Sequence, residues 1–247
     1  MYKGKTKDVY KRDDGNLEFH FKDTATGTIS EGKTIFDPGF DNVVGEIPGK
    51  GKVSCQFTVY FFELMKKKGI PNHYIRTLSS NSLLARHAEL LRVHGLHNLE
   101  FVCRNNAYGS FLRRYMFVKS CKNLNQLVEI TTKGASDHLI NDDAIKELRI
   151  MTKDELKDAK ILTKKVLGIV SEEFKKRGLH LIDGKIELGR IDGKIRLIDD
   201  ISPDVIRVCK GAKFDKNGNC ITNCGGKNIL SPNQLYALML GSKKSTS

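Results

Sequence analysis

Two runs of alternating apolar and polar residues, 179–189 and 194–201, meet at the dipeptide Asp192-Gly193. Asp-Gly supplies the two positive-φ positions of a tight antiparallel turn, so the pair reads as a β-hairpin. Alternation sets Asp183, Lys185 and Glu187 on one face of the first strand, and Ile182, Ile186 and Leu188 on the other, toward a core. Behind the second strand follows Asp199-Asp200-Ile-Ser-Pro203-Asp204-Val-Ile-Arg207. Adjacent carboxylates after an apolar strand suit magnesium held beside phosphates. The plainer reading is a solvent-facing strand with a charge ladder. A two-residue turn pairs Glu187 with Ile198 and leaves Asp199 on the opposite face. Joint metal binding by Glu187 and Asp199 therefore requires a bulge, or a strand that bends at its end.

The remainder predicts a mixed fold. Leu17, Phe19 and Phe21 alternate with polar residues after the turn Asp13-Asp14-Gly15-Asn16, which predicts strand pairs over 8–22. Residues 27–51 are glycine-rich and carry Pro38 and Pro48, so loop with short strands is expected there. A helix is predicted over 53–68, closed by Gly69 and Pro71, and a second over 82–93. Thr152 followed by Glu155 is a capping-box signature, and Leu156, Ala159, Leu162, Val166, Ile169 and Val170 give the ensuing helix an apolar face up to Gly178. Strands early, helices in the middle and a hairpin late make an α+β chain: an N-terminal antiparallel-sheet lobe, residues 1–75, and a larger α+β part, residues 76–247.

No apolar run approaches the roughly 20 residues of a membrane span, and no apolar signal core follows the charged N-terminus, so a soluble, cytoplasmic chain with no membrane partner is expected. Lys and Arg number 42 against 29 Asp and Glu, a net charge of +13. That excess suits phosphorylated metabolites or nucleic acid. The cations are spread along the chain with no arginine-rich block, which makes a nucleic-acid-binding protein the runner-up. Gly27 to Thr34 fits the phosphate-loop pattern, but Pro38-Gly39 opposes the helix that such a loop must open, and the match is rejected. Cys220 and Cys224 lie four apart near Cys209. The spacing is wrong for structural zinc, and free thiols on a loop are expected.

Two further segments carry chemistry. In Phe101-Val-Cys103-Arg104-Asn105-Asn106-Ala107-Tyr108-Gly109-Ser110 an apolar strand delivers Arg104, and Gly109-Ser110 opens the next segment. An arginine fork with a serine hydroxyl suits a phosphate monoester. Equally, Arg104 could pair with a structural carboxylate and Ser110 cap a helix. Gly4-Lys5-Thr6-Lys7 with Tyr10 could reach nucleotide phosphates from a first strand, or be a solvated basic strand.

Together these segments resemble the SAICAR synthetase (phosphoribosylaminoimidazole-succinocarboxamide synthase) family. The resemblance rests on Tyr2-Lys-Gly-Lys5-Thr-Lys7-Asp-Val-Tyr10, Gly69-Ile-Pro71, Arg104 to Ser110, Asp183-Gly-Lys185-Ile-Glu187-Leu-Gly, and Asp199 to Arg207, in family order over about residues 1–210. It implies an ATP-dependent ligase of purine biosynthesis, with ATP and Mg²⁺ as cofactors and the nucleotide in a cleft between the lobes. The family joins carboxyaminoimidazole ribonucleotide to L-aspartate; a homodimer is left open, as is another ATP-dependent carboxylate–amine ligase on the same scaffold. By the resemblance, Lys5, Lys7, Lys133 and Glu187 bind ATP, and Glu187 with Asp199 holds the metal. Arg104, Ser110, Arg207 and Asp137 bind the ribonucleotide, and Lys185, Asp183 and Asp204 line the reacting end. The family's aromatic between the aspartate and lysine is Gly184 here, which the resemblance reads as a looser pocket wall. The family's basic segment after about Lys210 is absent.

Overall fold

The structure is a computed structural model that describes residues 1–30, 32–37, 42–92, 97–133, 137–222 and 228–239. The chain opens with β1 (Tyr2–Lys3), β2 (Lys7–Lys11), β3 (Leu17–Phe21), β4 (Thr24–Ser30), β5 (Lys33–Phe36) and β6 (Asn42–Glu46). Helix α1 (Lys50–Lys67), β7 (Tyr74–Ser79), β8 (Ser82–Ala85), β9 (Glu89–Leu90), β10 (Leu99–Asn106) and α2 (Ser110–Arg114) follow. Then come β11 (Asn123–Thr132), β12 (His138–Leu139), α3 (Asp142–Glu147) and α4 (Lys153–Lys175). The last elements are β13 (Leu179–Ile191), β14 (Lys194–Ile198), β15 (Ile206–Lys210) and α5 (Pro232–Met239). The α+β class is as the sequence predicts.

Among the described residues three antiparallel sheets form: a five-stranded one ordered β1-β2-β3-β8-β7, a three-stranded one ordered β5-β4-β6, and a seven-stranded one along β12-β11-β10-β13-β14, with β9 and β15 also on β13. Helix α1 packs on β3, β7 and β8, and α4 on β10, β11 and β13. The two helices meet at Phe61 and Phe174, whose ring centroids lie 5.9 Å apart. Tyr60 Oη donates to Glu173 Oε1 at 2.7 Å beside them. One apolar core therefore runs from Phe19 and Phe21 through α1 and α4 to Leu235 of α5. Among the described residues no helix is long and apolar enough to cross a membrane.

Several expectations change. The helix expected over 82–93 does not form across 82–92, where β8 and β9 lie instead; Val93 lies outside the described residues. Strand β8 is paired on both edges and all four of its residues are buried, so the two-residue period that marks a strand is erased. With β7 and β8 in the N-terminal sheet, that sheet ends at Ala85, and a division at residue 75 falls inside it. Helix α1 starts three residues before the expected position because its cap comes from afar: Asp23 accepts from the N–H groups of Gly49 and Gly51 at 3.0 and 2.8 Å. These bonds hold the Asp23 carboxyl below its usual range. The second hairpin strand closes at Ile198 rather than 201. The rejected phosphate-loop segment forms part of the β4–β5 hairpin, Glu31 lying outside the described residues. Cys209 lies buried in β15 rather than on a loop, clustered with Cys121, Ile182 and Cys220; Cys224 lies outside the described residues. Among those described, no three His, Cys, Asp or Glu side chains are placed to share a metal.

The capping box forms as predicted. Thr152 N donates to Glu155 Oε2 at 2.8 Å, and Glu155 N donates back to Thr152 Oγ1 at 3.2 Å. Glu155 also receives Arg190 of β13, Nε to Oε1 at 2.5 Å, which ties the start of α4 to the sheet. That arginine, with the cap, holds the Glu155 carboxyl down at about 2. A depressed carboxylate stabilises the fold above its ordinary pKa and loses that contribution as pH falls toward the folded value. Unfolding midpoints between pH 4.5 and 2 should therefore fall less steeply in Glu155→Gln than in the parent, and the variant should be less stable at pH 7. A second expectation concerns Gly51, where a Cβ would lie 2.5 Å from the Phe21 carbonyl oxygen. Gly51→Ala must push α1 off β3, at a cost of about 1–3 kcal/mol in denaturant unfolding.

Candidate active site

Strand β13 builds the site because, on one of its edges, the two partner strands are joined by a stretch of chain that leaves the sheet. Residues 183–187 pair with β10, and β9 continues that edge at Gly189 and Arg190. The opposite edge carries β15 at 179–184 and β14 at 187–191. Between them the chain leaves the sheet at Asp199 and rejoins it at Ile206, held midway by Lys185 N donating to Val205 O at 2.8 Å. Asp199, Asp200 and Asp204 thus emerge beside Lys185 and Glu187. The hairpin register is the plain one, Glu187 opposite Ile198 with Asp192 and Gly193 at positive φ, so strict alternation alone would turn Asp199 away. Asp199 instead adopts φ 65°, and the strand bends at its end. The side chain then meets Lys7 Nζ at 2.7 Å.

The turn between β1 and β2 closes the cleft from the other side. Tyr2, Gly4, Lys5, Thr6 and Lys7 line it together with Thr26, facing Glu100, Lys133, Lys185, Glu187, Asp199, Asp200 and Asp204. The lysines and carboxylates of the cleft pair with one another. Lys7 contacts both Asp199 and Asp200; Lys133 Nζ lies 2.7 Å from Glu187 Oε1 and 3.6 Å from Glu100 Oε1; Lys185 Nζ lies 2.9 Å from Glu100 Oε2. Burial pulls the pKa of Lys7 and Lys133 down, but the surrounding carboxylates outweigh it and raise both. Lys185 is raised in the same way, by Glu100 and by Asp137. Asp204 is buried, which raises its pKa, while Lys50 Nζ at 2.7 Å and Ser54 Oγ at 2.8 Å counter the shift. Glu187 and Asp199 are hard oxygen donors on one cleft wall, each now balanced by an ammonium group, and this donor chemistry fits a magnesium ion.

A second cluster surrounds Asp183. Arg104 donates through Nε to Glu129 at 2.6 Å, through Nη1 to Asp183 at 2.7 Å and through Nη2 to Ser110 Oγ at 2.9 Å. Arg207 Nη1 reaches the same Asp183 oxygen at 2.8 Å, and its Nε reaches Asp37 at 3.1 Å. Gly109, at φ 57°, lets the backbone approach this guanidinium: a Cβ there would stand 2.7 Å from Arg207 Nη1. Arg104, Ser110, Arg207 and Asp183 are therefore one assembly, whereas Lys5, Lys7, Lys133, Lys185, Glu187, Asp199 and Asp204 share the cleft. Asp137 joins the cleft electrostatically, through Lys185.

A bulge between Leu181 and Asp183 corrects the alternation: Ile182 faces the cysteine cluster, while Leu181, Ile186 and Leu188 face the main core. Gly184 is no gap in a pocket wall. A Cβ on it would stand 2.8 Å from Leu167 Cδ2 and 3.2 Å from Ile206 Cγ2, so that position points at α4 and is already filled. Sequence reasoning missed Glu100, Lys50, Asn98, Glu129 and His73. Glu100 was signalled by a lone charge inside the apolar run Leu99-Glu-Phe-Val. Asn98, which donates to Glu187 Oε2 at 2.9 Å, had no local signal.

A family model described as SAICAR synthetase matches residues 1–220. The phosphoribosylaminoimidazole-succinocarboxamide synthase of Clostridium tetani is 39% identical over 220 residues, spanning 87% of this chain and 93% of that protein. A SAICAR synthetase solved in complex with ADP superposes with a TM-score of 0.76 at 28% identity, over 97% of both chains. The phosphoribosylaminoimidazole-succinocarboxamide synthase of Ehrlichia chaffeensis gives 0.74 at 25% identity, over 89% of this chain and 87% of that one. With its sheet topology, divided strand edge and lysine-lined cleft, this chain belongs to the SAICAR synthetase family.

Proposed function

We propose that this chain is the cytoplasmic ATP-dependent ligase that joins the carboxylate of carboxyaminoimidazole ribonucleotide to the amine of L-aspartate, releasing ADP and phosphate. A carboxylate is a poor acyl donor. Transfer of the γ-phosphoryl group of ATP to it gives an acyl phosphate; the aspartate amine attacks the acyl carbon, the C–N bond forms, and phosphate leaves with the C–O bonding pair. Such transfer is catalysed chiefly by positioning and by positive charge around the phosphates. The observation that carries the reading is the cleft in which Lys5, Lys7, Lys133 and Lys185 face Glu187 and Asp199.

Each residue then has a task. Lys5, Lys7 and Lys133 bind the ATP phosphates; in doing so Lys7 and Lys133 exchange their carboxylate partners for phosphate oxygens, and Asp199 and Glu187 become available as metal ligands. Magnesium held by Glu187 and Asp199 would neutralise and align the β- and γ-phosphates. Arg104, Ser110, Arg207 and Asp137 bind the ribonucleotide, with Arg104 and Arg207 held in place by Asp183. Lys185, Asp183 and Asp204 line the reacting end. The lobe that closes over the nucleotide comprises the sheet through Ala85 and the rest of the chain forms the substrate-binding part.

The test is ADP release with the ribonucleotide and L-aspartate, omitting each component in turn. Release should require both substrates, ATP and magnesium, and release that persists without L-aspartate or with another amine in its place would reassign the acceptor. Asp199→Asn keeps the side-chain shape but removes the charged ligand, so turnover should fall at least about 100-fold, a loss of ~2.7 kcal/mol of transition-state stabilisation, with the unfolding midpoint little changed. Near-normal turnover at ordinary magnesium would remove Asp199 from the metal site.

A further inference from the structure

We propose that His73 is a positioning residue for the metal site: its ring donates to the Asp199 carbonyl and locks the left-handed backbone that aims the Asp199 carboxylate into the cleft. The inference rests on the assignment of Asp199 to magnesium made above. A non-glycine residue at φ 65° is a conformation that persists where its surroundings over-determine it. Here the surroundings are specific. His73 Nε2 lies 3.1 Å from the Asp199 carbonyl oxygen. One residue pair earlier, His73 N donates to Leu197 O at 3.2 Å, and Asn72 bridges Leu197 in parallel. The segment 72–73 thus runs alongside the end of β14 and holds it at Leu197 and at the bend itself.

The ring has no freedom to turn away. His73 is buried, and the rings of Phe19 and Phe62 stand edge-on to it at centroid distances of 5.3 and 5.4 Å. Its own carbonyl accepts from Arg86 N at 2.7 Å, which pins its backbone to the start of the next segment. A carbonyl oxygen can only accept, so Nε2 carries the hydrogen and the tautomer is set by the contact. The ring is not among the cleft-lining residues, so it acts through the backbone of Asp199. Outer partners of this kind orient a metal ligand without binding the ion, and their loss typically costs about 10–100-fold in metal affinity.

The experiment compares the full chain with His73→Leu, His73→Gln and Asp199→Asn, titrating each with Mn²⁺ in the presence of ADP by electron paramagnetic resonance. Leucine fills similar volume without a donor; glutamine keeps an N–H of similar reach. His73→Leu should weaken Mn²⁺ binding about 10-fold or more, and His73→Gln by less than about threefold. A purely space-filling histidine would give the opposite order, since leucine preserves the packing better. If Asp199→Asn weakens Mn²⁺ while His73→Leu binds like the parent, the positioning role is overturned and the assignment of Asp199 stands. If Asp199→Asn itself binds like the parent, both fall. Should His73→Leu fail to fold, ¹⁵N-histidine spectra of the unaltered protein decide: the proposal requires the Nε2–H tautomer at His73, and the Nδ1–H tautomer overturns it.

Discussion

Strand β13 is paired on each side by two strands in succession, and the break between β15 and β14 on one of those sides is what the site depends on. A continuous partner strand would have drawn Asp199, Asp200 and Asp204 into regular alternation, half of them facing the core. The break frees their backbone from the ladder at the point where Lys185 and Glu187 face the cleft. The capped helix α4, the close contact at Gly184 and the bulge at Ile182 all serve to hold β13 in place around that break. The geometry of the cleft is therefore a property of strand pairing before it is a property of any side chain.

The second requirement is electrostatic. Glu100, Asp183, Asp200 and Arg207 are almost wholly buried, and an unpaired buried charge costs several kcal/mol. Each is matched by an opposite charge from a distant part of the chain: Lys185 for Glu100, Arg104 for Asp183, Lys7 for Asp200, Asp37 for Arg207. The lysines have flexible stems and compact charges, so they can trade one anionic partner for another, whereas the arginines are held by fixed forks. That division of labour accords with the proposal above of an adaptable nucleotide end and a rigid ribonucleotide end.

How much of this was legible in the sequence depended on distance along the chain. The hairpin at Asp192-Gly193 and the start of α4 at Thr152 are local signals and both formed as read. The Glu187–Ile198 register was legible too, and so was the need for a bend, but the φ of Asp199 was not, because His73 and Leu197 enforce it through contacts that no spacing rule records. Helix α1 was misjudged at its start for the same reason, its cap being Asp23. Residues 82–93 failed differently: β8 is buried on both faces, and an apolar strand in the middle of a sheet carries no period to distinguish it from a helix. Lys50, Asn98 and Glu129 were invisible because their partners, Asp204, Glu187 and Arg104, lie far away in the chain.

Residues 199–205 join two strands whose ends are both anchored to the same partner, and Val205 is tied to Lys185 on the way. The distance to be spanned is set by β13 alone. An inserted or deleted residue in this stretch has nowhere to go: it must either unzip part of β14 or β15 or rotate every carboxylate away from the cleft. In descendants of this gene, length variation should accumulate in the segment after β15 and around the small β4–β6 sheet, while the span from Asp199 to Val205 keeps its residue count.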